Sequence, residues 1–344
     1  MWSKKEVLFA CKASLAAFVT YLCMYAYRKP FTSAEFDGIR FIGIDYKILL
    51  ILSQLIGYTL SKYIGIKYIS ELKQENRTKT LVQLMSFALL MLFFFAITPP
   101  PYNFIFMFFN GIPLGMIWGV VFGYIEGRRS TEMLGAIMAS SFIISSGLVK
   151  GVGKLLLDSY GIHESWMPVC TALLFTPALL LGIWMLHTLQ APSESDIQER
   201  TERIPMKSTE RKAFIQKFSL GITLVIVMYV ALTIFRDVRD NFAVDFWKEI
   251  YSGNISQLLV TSEIPIAVVV LVVISCMIFI KKNKTVFFTN LFLISLSGIV
   301  MFSCGILFLQ SSVTPFMWMI LSGGAMYLPY LIFHTVLYER WIAY

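Results

Sequence analysis

The sequence predicts an all-α membrane protein with ten transmembrane helices. Hydrophobic residues make up 57% of the 344 residues, and only 15% are charged, whereas soluble domains average roughly 25% charged residues. The mean hydropathy is +0.70. Apolar runs of about 20 residues recur along the whole chain, and each can cross a hydrocarbon core that is about 30 Å thick.

The first apolar run is predicted to be a retained span rather than a signal peptide. Lys4 and Lys5 precede it, but the run is longer than a signal h-region, and no small-x-small cleavage site precedes Tyr27. Nine further runs follow. The ten predicted spans are 7–27, 46–66, 80–97, 103–124, 133–157, 167–189, 218–235, 258–280, 286–309 and 315–337.

A polar segment divides the spans into two groups. Residues 190–217 contain Pro192, Ser193 and six basic residues, and we interpret this segment as a cytoplasmic linker. The predicted domains are a six-helix bundle at 1–189 and a four-helix bundle at 218–344. A full repeat of the first bundle needs two more helices, so we expect either a fragment or a second bundle that is completed in another way.

The distribution of positive charge predicts the orientation in the membrane. With a cytoplasmic N-terminus, 19 Lys and Arg residues lie on the cytoplasmic side, seven on the outer side and three within spans. The positive-inside rule then places both termini in the cytoplasm of a multi-pass protein of the cytoplasmic membrane. Loop charge of this kind explains the net charge of +8 without nucleic acid, and we expect a monomer in the lipid bilayer.

No motif indicates an enzyme, a metal site or a cofactor site. The five cysteines are scattered through apolar runs and the three histidines lie far apart, so neither set has metal-site spacing. No nucleophile elbow, phosphate-binding loop or zincin helix occurs. We therefore expect no catalytic activity, no metal and no cofactor.

One short pattern occurs twice. Tyr21 and Arg28 are followed, 208 positions later, by Tyr229 and Arg236. All seven basic residues on the predicted outer side lie in the segments after these two copies. A guanidinium binds carboxylate or phosphate through two parallel hydrogen bonds, so the two arginines predict a shared anion site with the tyrosines on its wall. Two interfacial anchors are the alternative interpretation.

Further polar residues are candidates for substrate binding, gating or proton coupling. Lys150 and Lys154 share one face of span five; we interpret Lys150 as a substrate or gating cation and Lys154 as a snorkelling residue. Glu263 on span eight could form a salt-bridge gate with Arg236 or Lys150, carry a coupling proton, or lie at the membrane interface. A turn that we predict to be solvated on the outer side contains Asp237, Arg239 and Asp240.

Spans four and ten end alike. Glu126 and Arg128 end span four, and Glu339 and Arg340 end span ten, 213 and 212 positions later. These four residues predict an inner salt-bridge gate, with ordinary helix-end charge as the alternative. Span four also has glycine at every fourth position, which predicts close helix packing or a sliding surface. The glycines are Gly111, Gly115, Gly119, Gly123 and Gly127.

Two motifs resemble the major facilitator superfamily. Residues Gly57 to Lys67 resemble its loop of glycines and basic residues, although Ser61 replaces the acid. The two tyrosine–arginine copies resemble the organophosphate:phosphate antiporter branch, and the whole chain also resembles an uncharacterised bacterial group of major-facilitator-like proteins. The residues that carry the branch resemblance are Tyr21, Tyr25, Arg28, Lys29, Tyr229 and Arg236.

This resemblance implies a two-bundle helical fold in which Arg28 and Arg236 bind phosphate from opposite sides. Lys150 occupies the helix on which that branch often uses a histidine. In the implied fold, these three residues and Glu263 all reach one cavity.

We therefore expect a secondary transporter of a small anionic solute, an organic phosphate or a carboxylate, that works by alternating access around an Arg-lined cavity. One alternative is a proton-coupled carrier of a neutral or cationic compound that uses Glu263 as its proton site. The other is a membrane sensor or scaffold that binds a ligand without transporting it.

Overall fold

The computed structural model describes residues 4–127, 131–190, 208–251, 253–278, 280 and 282–335. These residues form eleven α-helices and one short antiparallel hairpin. The helices are α1 (Lys4–Ala26), α2 (Tyr46–Ser70), α3 (Arg77–Ile97), α4 (Phe104–Ile125), α5 (Thr131–Asp158), α6 (Met167–His187), α7 (Ser208–Asn241), α8 (Ala243–Ile250), α9 (Ile255–Ile278), α10 (Asn283–Leu309) and α11 (Pro315–Thr335). The hairpin pairs β1 (Arg40–Phe41) with β2 (Ile44–Asp45), and 3-10 helices occur at Pro30–Ser33 and Gln74–Asn76.

Ten of the described helices, all except α8, are long and apolar enough to cross a membrane. This confirms the prediction of an all-α membrane protein with ten spans. The seventh span has the largest boundary error, because α7 extends beyond the predicted 218–235 at both ends. Residues 208–217 are therefore helical rather than part of the predicted linker, and 191–207 lie outside the described residues. Hydropathy marks the apolar middle of a helix but not its polar ends.

Helix α5 is the most buried of the ten candidate spans. Within its apolar window 78% of the residues are buried, compared with 0% for α7. α5 packs against α1, α4 and α6, and also against α9 and α11. Gly147 and Gly151 allow the close approach to α9, because a side chain at either position would overlap the α9 backbone. α5 thus connects the first six helices with the last five.

Helix α4 packs along α2 through its row of glycines. Gly111 and Gly115 lie against the α2 backbone at Tyr58, and Gly119 lies against Ile69. The row continues to Gly123, beside the guanidinium of Arg77 on α3, so it holds α4 close to two neighbours. This confirms the predicted close packing, while the sliding surface stays a prediction.

One aromatic contact occurs in both parts of the chain. The rings of Tyr21 on α1 and Trp118 on α4 have their centroids 5.0 Å apart, and those of Tyr229 on α7 and Tyr330 on α11 are 5.8 Å apart. Tyr229 follows Tyr21 by 208 positions and Tyr330 follows Trp118 by 212. The offset of 208 is that of the repeated tyrosine–arginine pattern, and the offset of 212 is that of the arginines at the ends of spans four and ten. The pair α1–α4 and the pair α7–α11 therefore meet at positions that correspond in sequence.

We predict that Gly115→Ala destabilises the protein whereas Gly298→Ala on α10 does not. A Cβ at Gly115 would lie 2.6 Å from the Tyr58 carbonyl oxygen and from Ser61 Oγ, whereas a Cβ at Gly298 has nothing within 4 Å. Overpacking of this kind costs about 1–3 kcal/mol. Thermal unfolding of both variants in detergent measures the difference, and equal melting temperatures would contradict the packing role of the glycine row.

Candidate functional site

Arg28 and Lys29 lie in a buried turn directly after α1. Their backbone N–H groups both donate to the Tyr25 carbonyl, at 3.0 and 2.9 Å. Pro30 has no N–H to continue the helix and begins the following 3-10 helix instead. The turn carries both cations inward, so that Arg28 is 7% exposed and Lys29 4% exposed. Burial of this extent does not fit an interfacial anchor.

The Arg28 guanidinium has aromatic neighbours but no acceptor. It lies 4.0 Å from the ring centroid of Tyr58 and 5.9 Å from that of Tyr25. Its Nε is buried without a hydrogen-bond partner, and among the described residues no carboxylate pairs with the guanidinium. The Arg28 carbonyl accepts a hydrogen bond from Gln54 Nε2 at 3.0 Å, which fixes the turn to α2. Arg28 is therefore a positioned cation that has no direct ion pair among the described residues, although it lies close enough to Asp237 for electrostatic attraction.

Arg236 on α7 has a similar aromatic neighbour and an additional carboxylate. Its guanidinium lies 4.2 Å from the Tyr330 ring centroid. It also donates to Oδ1 of the adjacent Asp237, from Nη2 at 2.6 Å and from Nε at 3.2 Å. The Arg236 side chain is 14% exposed. The two arginines are thus alike in their cation–π contacts and differ in their counter-ions.

Both arginines line one small cavity. The volume accessible to water in it is about 10 Å³, roughly the space that a single water molecule needs. The residues that line it come from the turn after α1 and from α1, α5, α7 and α11; they are Tyr25, Arg28, Lys29, Phe142, Ser146, Arg236, Asp237, Asp240 and Tyr327. The structure therefore brings together four of the predicted substrate-binding residues.

The remaining predicted tyrosines lie one ring further from the cavity. Tyr21 contacts Tyr25 with a centroid distance of 5.7 Å, and Tyr229 stacks on Tyr330. Neither is among the cavity-lining residues. Each packs against a ring that contacts one of the two arginines. Neither tyrosine therefore forms the predicted wall of the anion site directly.

A buried carboxylate, Asp240, forms the centre of an ionic cluster beside the cavity. Its Oδ2 lies 2.5 Å from Lys29 Nζ and its Oδ1 lies 2.9 Å from Lys150 Nζ. Lys150 also donates to the Asp240 carbonyl at 2.7 Å, and Ser146 Oγ bonds to Oδ1. Burial lowers the pKa of Lys29, and the attraction of Asp240 opposes that shift. The cluster joins the turn after α1, α5 and α7.

The predicted solvated outer turn is wrong. Asp240 is 6% exposed and Arg239 is 7% exposed, because α7 continues to Asn241 rather than ending at residue 235. The sequence carried a signal for this: Asp240 lies four residues after Arg236, on the same helix face. We ended the predicted span at its first charged residue, and so placed these side chains in water.

Glu263 on α9 pairs with a cation that we did not predict. Its Oε1 accepts from Arg239 Nη1 at 2.9 Å, and Arg239 Nη2 donates to the Met319 carbonyl at 3.1 Å. The predicted pairing with Arg236 or Lys150 is therefore wrong. The Arg239 side chain instead fastens α7 to α9 and α11.

Further ion pairs surround the Asp240 cluster and define what we call the Asp240 end of the protein. Lys47 on α2 binds Asp245 on α8 at 2.8 Å, and Lys248 on α8 binds Glu35. Lys154 is buried and pairs with Glu35 at 3.6 Å and with Asp158 at 3.1 Å, so its predicted snorkelling is wrong. These pairs connect the first six helices with α7 and α8, which closes this end.

The predicted inner gate is only partly within the described residues. Glu126 follows α4, at the end of the helix opposite to the Asp240 end. Arg128, Glu339 and Arg340 lie outside the described residues, so the gate stays a prediction. In the described part of the chain, no group of three or more His, Cys, Asp or Glu residues could hold a metal ion.

A known protein family matches most of the chain. The family described as "Family of unknown function (DUF5690)" matches residues 30–344. No curated protein matches the chain. The match covers α2 to α11 and includes Arg236, Asp237 and Asp240 but begins after Arg28. It assigns no activity, so the function has to be inferred from the site.

We predict that Asp240→Asn destabilises the protein more than Lys29→Met. Asp240→Asn leaves two buried ammonium groups without a carboxylate, and an uncompensated buried charge costs about 3–5 kcal/mol. Lys29→Met leaves Asp240 paired with Lys150, so its cost is smaller. Asp158→Asn is the matched control, since that side chain is 55% exposed. Thermal unfolding gives the order, and a Lys29 variant less stable than the Asp240 variant would contradict it.

Proposed function

The chain belongs to the DUF5690 family, and we propose that it is a secondary transporter of a small organic anion, either an organic phosphate or a carboxylate. One observation carries the proposal: Arg28 and Arg236 line the same buried cavity, and no described residue accepts a hydrogen bond from the Arg28 guanidinium. A buried cation without an acceptor is costly. An oxyanion bound between the two arginines would supply the acceptor and compensate the charge.

The aromatic neighbours favour an anion site that depends on the shape of the arginine side chain and not on positive charge alone. The two guanidinium groups lie over Tyr58 and Tyr330 at similar distances, 4.0 and 4.2 Å. Stacking on a ring holds the planar fork of an arginine in one orientation. Lysine in either position would present a point charge without the two parallel donors that fit a carboxylate or a phosphate.

The proposed mechanism is alternating access between two groups of helices. The repeated contact of Tyr21 with Trp118 and of Tyr229 with Tyr330 supports a parallel repeat, which is one architecture of secondary transporters. The ion pairs of the Asp240 end join these groups, so they would have to separate before a solute could enter or leave there. This scheme is major-facilitator-like and involves no chemical step on the solute.

We also propose an orientation for the closed end. With both termini in the cytoplasm, as the positive-inside rule indicates, the Asp240 end faces the outside of the cytoplasmic membrane. The conformation is then closed to the outside. In this state the cavity is too narrow for an anion, so the proposed site would have to widen before Arg28 and Arg236 could bind one.

We predict that Arg28→Ala and Arg236→Ala each reduce anion exchange by about ten- to hundredfold, since one charge-assisted hydrogen bond contributes about 1.5–3 kcal/mol. Exchange of inorganic phosphate, glycerol phosphate and succinate is measured in proteoliposomes of the full chain. Arg40→Ala is the matched control, because Arg40 lies in β1 and is exposed. Exchange that is unchanged in the double arginine variant would contradict the anion site.

A second candidate function rests on Glu263. Its Oε2 is buried without a hydrogen-bond partner, which favours a proton-binding role in a carrier of neutral or cationic compounds. Loss of transport in Glu263→Gln, with transport retained in both arginine variants, would support that carrier instead. Ligand binding without any flux would support a sensor.

We predict that a cross-link across the Asp240 end stops exchange. Lys47→Cys and Asp245→Cys replace the two partners of one ion pair, in a chain whose five native cysteines are replaced. A bifunctional thiol reagent joins the two cysteines through a cross-link that a reductant cleaves. Anion exchange should fall to background after cross-linking and return after reduction. The control joins Lys154→Cys to Asp158→Cys within α5. Full exchange by the cross-linked Lys47–Asp245 protein would contradict opening at this end.

A further inference from the structure

The two copies of the tyrosine–arginine pattern differ in the residue that follows the arginine. Lys29 follows Arg28, and Asp237 follows Arg236, at the same offset of 208 positions. Lys29 turns to Asp240 and to Asn241 Oδ1, to which it donates at 2.7 Å. Asp237 instead binds its own neighbour, Arg236. The repeat therefore places opposite charges at equivalent positions of the site.

Asp237 occupies a position that suits a bound anion. A single oxygen, Oδ1, accepts from both Nη2 and Nε of Arg236. Asp237 lines the same cavity as Arg28, and its side chain is 20% exposed. A solute carboxylate or phosphate that approached Arg236 from the cavity would therefore meet this fixed carboxylate.

The charged groups at and beside the cavity have a net charge of +2 when Lys150 is counted. The lining groups comprise three cations, Arg28, Lys29 and Arg236, and two carboxylates, Asp237 and Asp240, which gives a net charge of +1. Outside the lining, Lys150 adds one positive charge at Asp240, and the pair of Arg239 with Glu263 is neutral. Asp237 thus removes one of three positive charges that a solute would otherwise experience.

We propose that Asp237 tunes charge specificity: as the internal counter-ion of Arg236, it lowers the preference of the site for doubly charged anions over singly charged anions of the same size. This inference rests on the proposed anion site. The repulsion between a fixed carboxylate and a solute grows in proportion to the charge of the solute, so a dianion is penalised twice as much as a monoanion. Removing the solute from water also costs more free energy for the dianion than for the monoanion.

The test compares two probes of equal size and different charge. Succinate carries two negative charges at pH 7.5, and succinamate, its monoamide, carries one. Their binding to the full chain in lipid nanodiscs is measured by isothermal titration for the native protein and for Asp237→Asn. The native protein provides the reference ratio of the two affinities. In Asp237→Asn the affinity ratio of succinate to succinamate should rise by about tenfold or more.

Three further variants make the result specific. Asp237→Glu restores the negative charge and should keep the native ratio. Asp158→Asn removes one negative charge from the same end but outside the cavity, and it should also leave the ratio unchanged. Arg28→Ala should abolish the binding of both probes, and retained binding in that variant overturns the anion site itself.

The counter-ion role can fail separately from the anion site. If Arg28→Ala abolishes binding but Asp237→Asn changes the affinities for both probes by the same factor, the specificity role is overturned and the anion site stands. An affinity ratio in Asp237→Asn that equals the native ratio also overturns it. A ratio that rises equally in Asp237→Asn and Asp158→Asn shows a general effect of net charge and overturns it as well.

Discussion

The arrangement of helices around the cavity depends on one buried carboxylate. Asp240 binds Lys29 through one oxygen and Lys150 through the other, so it links three segments that are far apart in the chain. Charges removed from water are tolerated only when they are paired and hydrogen-bonded. Each of the two lysines therefore requires Asp240 in its place, and the turn that carries Arg28 is held in position by the same requirement.

Within this frame the site is built symmetrically from aromatic rings and asymmetrically from charges. Tyr58 and Tyr330 each lie beneath a guanidinium. Of the two repeated tyrosines, Tyr229 stacks on Tyr330, whereas Tyr21 contacts Tyr25. Only Arg236 has a carboxylate of its own. Because Arg28 lacks one, the cavity retains an unfilled requirement for negative charge on a single side. The two arginines of the proposed anion site therefore differ in their charged neighbours.

Much of this organisation could be predicted from the sequence, and the failures share one physical cause. The ten spans, the glycine row of α4 and the proximity of Arg28 and Arg236 follow from hydropathy, spacing and internal repetition. The partners of Glu263 and Asp240 do not. Arg236 and Arg239 are separated by less than one helical turn, so spacing alone could not select which of them meets Glu263. Rotation of α7, which tertiary packing sets, makes that choice.

The short helix α8 is held at the Asp240 end by three contacts. Asp245 and Lys248 are three residues apart on α8, hence on one face. Asp245 binds Lys47 on α2, and Lys248 binds Glu35 in the loop between α1 and α2. Trp247 between them is fully buried and anchors the helix in an apolar cluster. Because α8 is one short helix, we expect its two ion pairs and the packing of Trp247 to be lost together rather than one at a time.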